Sequence, residues 1–369
     1  MKLRLLALAA AGFAAAALDP HAASAEEPIN IGVIANLTGS DVKSSVDMVR
    51  GVELAAATIN AAGGIKGRPI KLIVEDAEYR PQAGLDAATK LFDVDKVDAA
   101  VVFGGSSITI PIAEMAGPKG KIIMNTSASS SKLGNYSGTV YSTLPLDDIV
   151  GKALGDYVAS KGVKTAAFVV PNNTFGTGLM DAATKEFEAK GGKVLRKVIY
   201  TEGQPDYRAD MQAVLQAKPE AIMSAGYGDD TRTIFKAARE LGIDAPWYAA
   251  YPSIFYVENE QWMNGKLSGV DNGGLSSPVG QQIKKAYAVK FKGDPLPHYY
   301  YGYDALMLLA KAMIAGGTDP AAIKKALPAG VKGYDGATGS IEWDDRGQRV
   351  NPPMDYFIYK DSKLQPIPQ

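Results

Sequence analysis

Strand and helix signals alternate along almost the whole of this 369-residue chain, and that alternation constrains its fold more tightly than any single motif. Ile29-Asn30-Ile31-Gly32-Val33-Ile34 predicts a buried strand. Residues 46–60 carry apolar side chains at helical spacing and run into Gly63-Gly64, the residue type that closes a helix. The pattern continues with strand 70–76, helix 81–92, strand 99–104, helix 110–116 and strand 121–125. After Asp147 it restarts, with helix to 161, strand 165–170, helix 178–190, strand 194–200, helix 207–216, strand 221–225 and helix 229–241. Repeated alternation of this kind implies parallel sheets covered by helices on both faces. The fold class expected is therefore α/β, with two doubly wound parallel-sheet lobes. Leu144-Pro145 and Asn272-Gly273-Gly274 are the expected crossovers between them.

The amino terminus adds a destination. Lys2 and Arg4 precede an apolar run from Leu5 to Leu18, Asp19 and Pro20 break it, and Ala23-Ser24-Ala25 supplies the small-x-small pattern that signal peptidase reads. Residues 1–25 are predicted to be a signal peptide cleaved after Ala25, which directs the protein to the periplasm. The run is too short to cross ~30 Å of hydrocarbon, and no later stretch approaches the ~20 apolar residues of a membrane span. No membrane anchor is expected, since an uncleaved anchor leaves the cleavage pattern unexplained.

With 46% hydrophobic and 21% charged residues and a formal net charge of -1, the composition argues against disorder, nucleic-acid binding and an anionic membrane surface. The absence of cysteine removes disulfides, thiolate catalysis, cysteine-based zinc sites and a lipid-modified cysteine tether. Stability must come from the cores of a chain long enough to form two domains.

Several strings then resemble one family. They are Asn36-Leu37-Thr38-Gly39, the stretch Asn60-Ala61-Ala62-Gly63-Gly64-Ile65-Lys66-Gly67-Arg68-Pro69-Ile70, and Glu75-Asp76 followed by Pro81. Further matches are Asn173-Thr174-Phe175-Gly176-Thr177-Gly178, Pro205-Asp206-Tyr207, Ala225-Gly226-Tyr227, Tyr303-Asp304-Ala305 and Gly339-Ser340-Ile341-Glu342-Trp343-Asp344. Together they make the mature chain similar to the periplasmic leucine/isoleucine/valine-type solute-binding proteins of ABC transporters. The resemblance implies a type I periplasmic binding fold: two lobes joined by three crossing strands and closing on a small molecule. It places lobe 1 at residues 28–146 plus 273–349 and lobe 2 at 147–272 plus 350–369. It also implies a monomer that delivers its solute to the transmembrane permease subunits of the transporter, with no cofactor and no metal.

Ligands of open α/β sheets sit at the carboxyl ends of strands, beside loops and helix N-termini. Gly104-Gly105-Ser106-Ser107-Ile108-Thr109 and Asn125-Thr126-Ser127-Ala128-Ser129 are two such loops, rich in hydroxyls and amides able to cradle a carboxylate without a counter-cation. The resemblance puts Ser106, Ser127 and Ser129 on the carboxylate-contacting positions, with Ser107 and Thr109 in the same loop, and Phe175 and Tyr227 on the closing wall. Asp147 falls at the hinge. From the residues alone the serines serve more often as helix caps or turn formers, Phe175 has core packing as its alternative, and Asp147 serves equally as the cap of a helix beginning near Ile149.

The chain departs from the amino-acid binders at two places. By ungapped spacing from Gly39, Ser44 occupies a position that is often aromatic and Ser45 one that is often glycine. By spacing from Tyr227, Tyr251 stands where amino-acid-specific members place an acid against the ligand's ammonium. A buried ammonium without a carboxylate is costly, so a less polar, amide-bearing or aromatic carboxylate becomes the competing ligand class. Asp229, Asp230 and Glu258 are the acids available as substitutes, and Tyr248, Tyr251 and Tyr256 crowd the expected cleft.

Rival functions find less support. His21 leaves with the signal peptide, and His298 beside Pro297 has neither a second histidine nor a cysteine for a metal cluster, nor a G-x-S-x-G nucleophile elbow. Paired acids such as Asp147-Asp148 and Asp229-Asp230 do not make a catalytic couple when strand neighbours face opposite ways. An enzyme is not expected. An exported protein that presents its closed form to a membrane sensor is the alternative to a transporter component.

Overall fold

The computed structural model describes residues 27–255, 260–273 and 277–368. The predicted signal peptide with its cleavage after Ala25, as well as Tyr256, Glu258 and Gly274, lie outside them.

The chain opens with β1 (Ile29–Ala35), α1 (Val42–Ala61), β2 (Ile70–Asp76), α2 (Pro81–Thr89), β3 (Ala99–Val102), α3 (Ser106–Ala116), β4 (Ile122–Asn125) and β5 (Val140–Ser142). It continues with α4 (Asp147–Ser160), β6 (Thr165–Pro171), α5 (Thr174–Ala189), β7 (Lys193–Tyr200), α6 (Arg208–Ala217), β8 (Ala221–Ser224), α7 (Gly228–Glu240), β9 (Trp247–Ala250) and β10 (Leu267–Asn272). The last third holds α8 (Pro278–Lys290), α9 (Pro297–Gly316) and α10 (Pro320–Gly330). Two short ladders follow, β11 (Asp335–Gly336) with β12 (Gly339–Ser340) and β13 (Glu342–Trp343) with β14 (Arg349–Val350), and then β15 (Met354–Lys360) and β16 (Lys363–Pro366).

β1 to β5 form one parallel sheet, in the order β2-β1-β3-β4-β5. Side chains of its strands divide between two cores with the period of two that a pleated strand imposes. Ile31, Val33, Val101 and Met124 face α1 and α9, whereas Ile34, Val102 and Ile123 face α2 and α3. The second sheet, β16-β15-β10-β9-β8-β6-β7, surrounds a separate core. It departs from the fully parallel expectation at one edge: β15 runs antiparallel to β10, and a tight turn at Asp361 and Ser362, both with positive φ, folds β16 back on β15. The chain reaches that edge by its last crossing and needs no crossover helix there.

α8, α9 and α10 return to the first core although they follow the second sheet in sequence. α1 and α9 cross at reciprocal glycines. A Cβ on Gly51 would meet the Tyr299 carbonyl oxygen at 1.9 Å, and one on Gly302 would meet the Met48 carbonyl oxygen at 2.4 Å. This backbone contact fixes the first turn of α9 against the sheet.

The crossings between lobes hold one another. Pro145 bridges Arg349, and the Gly273 amide donates to the Pro353 carbonyl at 2.7 Å. The Arg349 guanidinium is buried and donates to the carbonyls of Thr143, Thr338 and Ser340 at 2.7 to 2.8 Å. Hydrogen bonds to a charged group contribute roughly 1.5–3 kcal/mol each, so Arg349 ties two of the crossings together.

Candidate ligand-binding cleft

A cavity of about 280 Å³ lies between the two sheets, at the carboxyl ends of their strands. Its first wall is built on β3, β4 and α3. Helix α3 begins at Ser106, four residues before the periodicity suggests, because the apolar spacing starts only at Ile108 while the first turn faces the cleft. Gly105 precedes it with φ 64° and ψ 178°, a conformation open essentially to glycine alone, and no side chain caps the helix. The first helical bond is Thr109 N–H to the Gly105 carbonyl at 2.9 Å, so the amides of Ser106, Ser107 and Ile108 have no acceptor within the helix.

Two hydroxyls are held beside this end with their acceptor side occupied. Ser127 Oγ accepts from the Gly104 and Gly105 amides at 3.0 and 3.1 Å, and Ser106 Oγ accepts from the Ser130 amide at 3.1 Å. A hydroxyl so engaged has its own proton free to donate. Asn125 keeps the β4 loop in place, donating to the Ala128 carbonyl at 2.7 Å and accepting from its amide at 2.9 Å. No lysine or arginine lines the cavity among the described residues.

The opposite wall is aromatic. Phe175 stacks on Tyr227 with ring centroids 5.9 Å apart and lies 6.0 Å from Tyr251. Tyr251 adopts φ 56° and ψ 50° after β9, a conformation costing roughly 1–3 kcal/mol for such a residue, and this bend places it on the cavity wall. Helix α5 is sealed, unlike α3: Asn173 Oδ1 accepts from the Gly176 amide at 2.9 Å. The same residue's Nδ2 donates to Tyr227 and Glu202 at 2.7 and 2.9 Å.

Glu202 is the node of a link across the mouth. Its Oε1 accepts from Tyr227 at 2.7 Å and from Tyr79 at 2.8 Å, and the two phenolic oxygens touch. Tyr79 belongs to the turn after β2, where its amide donates to Asn36 Oδ1 at 3.2 Å. Burial first, and then the Glu202 charge, pushes the Tyr79 phenol up.

Ser106, Ser107, Ser127, Ser129, Phe175, Tyr227 and Tyr251 line the cavity; Thr109 and Asp147 do not. Thr109 sits on the far side of the first α3 turn, fully buried. Asp147 is the first residue of α4, behind the cavity, and caps nothing, since Leu146 holds the cap position. Burial pushes its carboxyl up to about 8, the Asp148 charge acts in the same direction, and the nearby Ser129 hydroxyl opposes them. Neither carboxyl oxygen reaches a partner at hydrogen-bonding geometry.

The ungapped spacing misplaces Ser44 and Ser45. Both are buried in α1, where Ser45 Oγ accepts from the Asn36 amide at 2.7 Å, and the wall there is built instead by Asn36, Asp41 and Tyr79. Tyr248 lies in β9 against Tyr157. Asp229 is exposed and pairs with Arg232, while Asp230 accepts from Tyr207 and the Gly203 amide, so neither acid reaches the cavity. The acids that do are Asp41, Glu202 and Asp271.

Sequence reasoning missed Tyr79, Asn173, Glu202, His298 and Tyr301 as cavity residues. Asn173 stood beside Phe175 in a quoted string, and Tyr301 two residues before another, so both were within reach. Tyr79 and Glu202 had no local signal, because their pairing crosses between lobes. His298 lines the cavity edge-on to Phe103, with centroids 4.8 Å apart, and burial lowers its pKa to about 3, which keeps it neutral.

Two α/β lobes, three mutually bonded crossings and a cavity between the strand ends define a type I periplasmic binding fold. The periplasmic binding protein family model matches residues 28–363, and the chain belongs to that family, within its branched-chain amino acid type. It is a solute-binding family of the ABC-transporter type, exported to the periplasm. An amino acid binding protein of Pseudomonas aeruginosa is 28% identical over 345 residues, covering 89% of each chain. Among solved structures, a leucine binding protein from Thermotoga maritima superposes with a TM-score of 0.84 at 21% identity, over 92% of this chain and 98% of that one. A solute binding protein from R. palustris in complex with benzoate gives 0.83 at 19% identity, over 92% and 95%.

Proposed function

We propose that this protein captures a small carboxylate-bearing solute by closure of its lobes and delivers it to the permease of an ABC importer. The observation that carries this reading is the first wall. There, unpaired α3 amides and the amide-backed hydroxyls of Ser106 and Ser127 converge, with Ser129 beside them and no cationic side chain. Such a site suits a mono-anion, because neutral donors and a helix N-terminus stabilise it without holding a fixed opposite charge that must be desolvated. The aromatic wall of Phe175, Tyr227 and Tyr251 then covers the remainder of the solute.

Lobe 1 is taken as residues 28–146 plus 273–349 and lobe 2 as 147–272 plus 350–369, moving about the crossings clamped by Arg349. Tyr79 reaching Glu202 closes the mouth on the side where lobe 1 meets Tyr227. The closed population, and with it the surface offered to a permease, follows from how much better the solute binds the closed form. Tyr251, in place of the acid that would meet an ammonium, favours an aromatic or other non-amino carboxylate.

An α-amino acid is the second reading, because Glu202 and Asp271 line the cavity and the P. aeruginosa relative is named for amino acids. Both carboxylates are already engaged, Glu202 by Tyr79, Tyr227 and Asn173, and Asp271 by the Ser253 and Asn272 amides. A thermal-shift panel of benzoate, branched-chain amino acids and their primary amides decides between them, since a ligand that binds only the native state raises the melting temperature. Benzoate-type acids are expected to shift it and their amides to do so far less. Amides acting as well as acids would overturn the carboxylate reading, and a shift confined to amino acids would establish the second.

A further inference from the structure

The hinge side of the cavity carries polar atoms that make no hydrogen bond of full geometry, although Ser253 lies close to Asp271 and Tyr301 close to Asn272. They are Ser253 Oγ, Asn272 Oδ1, His298 Nδ1 and the Tyr301 hydroxyl, and all four residues line the cavity. They arrive from three separate places: the turn after β9, the end of β10 and the first turns of α9. A buried polar atom left unpaired costs roughly 1–3 kcal/mol, and more than ~90% of such groups in folded proteins have partners. Four on one wall point to a partner that comes from outside the chain.

The wall is ordered rather than slack. Asp271 accepts from the Ser253 amide at 3.1 Å and from the Asn272 amide at 2.9 Å, which fixes the backbone carrying two of the four. His298 lies edge-on between Phe103 and Tyr301, with centroids at 4.8 and 6.0 Å. Being neutral, its Nδ1 either accepts or donates. Tyr251 lies near groups of both walls: burial raises its phenol most, Asp147, Tyr301 and Asp271 act in the same direction, and the Ser129 hydroxyl opposes them. The two polar ends therefore share one aromatic neighbour.

We propose that Ser253, Asn272, His298 and Tyr301 form a second polar subsite, which selects carboxylates bearing a hydroxyl away from the carboxylate, a ring-hydroxylated aromatic acid being the class that fits. This rests on the carboxylate reading of the first wall. A second carboxylate is disfavoured there by Asp271 and by the absence of a lining lysine or arginine. An ammonium is the competing occupant, since each Asp271 oxygen holds one backbone amide and keeps a further lone pair, and the amino acids of the thermal-shift panel test it. A bare hydrocarbon end would leave all four polar atoms desolvated, whereas a hydroxyl both donates to Asn272 Oδ1 and accepts from a neighbour.

Isothermal titration of the mature protein with benzoate, 3-hydroxybenzoate and 4-hydroxybenzoate tests this directly. At least one hydroxylated acid is expected to bind about tenfold tighter than benzoate, the gain of one well-made hydrogen bond. Asn272→Ala and Ser253→Ala are each expected to narrow that ratio to about twofold, while Ser127→Ala weakens all three acids together and leaves the ratio standing. Benzoate binding as tightly as both hydroxylated acids in the parent protein would overturn the inference without recourse to any variant. A preference that survives both Asn272→Ala and Ser253→Ala would overturn the residue assignment. If none of the acids binds, the carboxylate reading falls and this inference with it; if they bind without preference, only this inference falls.

Discussion

The two walls of the cleft are built from the same unit, a parallel strand leading into a helix, and they end in opposite chemistry. In lobe 1, β3 passes through Gly105 into an α3 whose first amides have no cap. In lobe 2, β6 passes through Asn173 into an α5 whose first turn is sealed by that side chain. An open helix end can receive an anion, whereas a sealed one serves only to place the side chains beside it, here Phe175 and Tyr227. One residue before the helix decides which role the unit takes. On the proposed reading the asymmetry also sets an order, with lobe 1 holding the carboxylate and lobe 2 adding rings as it closes.

The contrast breaks most completely if lobe 1 is given the cap that lobe 2 has. Gly105→Asp places a carboxylate where the ligand's should lie, and no atom within 4 Å obstructs the new Cβ. Gly105 holds φ 64° and ψ 178°, a region open essentially to glycine alone, so a side chain there costs about 1–3 kcal/mol or more and the variant's thermal unfolding is read beside its binding. Binding of carboxylates by titration calorimetry is expected to fall by more than about a hundredfold, from combined repulsion and loss of donors.

The hinge between the walls gives the next effect. Asp147 has its carboxyl raised to about 8, above the usual 3.8, chiefly by burial. The folded state therefore keeps its proton where the unfolded state has lost it. This stability is fully present below about pH 4 and is lost as pH rises toward 8, with a slope of up to about 1.4 kcal/mol per pH unit. Asp147→Asn is expected to raise the urea midpoint at pH 7.5 and leave it nearly unchanged at pH 4. An equal effect at both values would remove the buried neutral carboxyl from the account.

The smallest effect sharpens the link across the mouth. Tyr79→Phe removes one donor to Glu202 while keeping the ring against Tyr227. Small-angle scattering of the ligand-free protein is expected to show a larger radius of gyration, and ligand affinity to fall by about three- to tenfold. An unchanged radius and affinity would make the Tyr79–Glu202 contact incidental to closure.

Much of the framework was readable from residue order. Alternating strand and helix signals located β1 to β4, β6 to β8 and α1 to α7, because those elements carry their own periodicity, but not β5, β9, β10 or α8 to α10. Element starts were less legible. Helices α3 and α5 each begin four residues before the predicted start, since a first turn facing a cleft lacks the apolar spacing that marks the rest. The serine loops were singled out by the family resemblance, because hydroxyls after a strand otherwise serve as helix caps and turn formers, and Ser106, Ser107, Ser127 and Ser129 do line the cavity. Counting without gaps failed at Ser44 and Ser45, where α1 takes up the chain sooner than the spacing assumed. Asp147 was put at the hinge beside the ligand by the family pattern, but as the buried first residue of α4 it does not line the cavity. Tyr79, Glu202 and the hinge-side quartet escaped because each depends on contacts between segments far apart in sequence.

The central claim is that neutral donors of lobe 1, rather than the rings of lobe 2, hold the charged end of the ligand. Titration calorimetry of Ser106→Ala/Ser127→Ala and of Phe175→Ala against one carboxylate and its primary amide measures this most directly. The account predicts that the double serine variant loses about ten- to a hundredfold for the acid and little for the amide, while Phe175→Ala weakens both alike. Equal losses for acid and amide in the serine variant would contradict it.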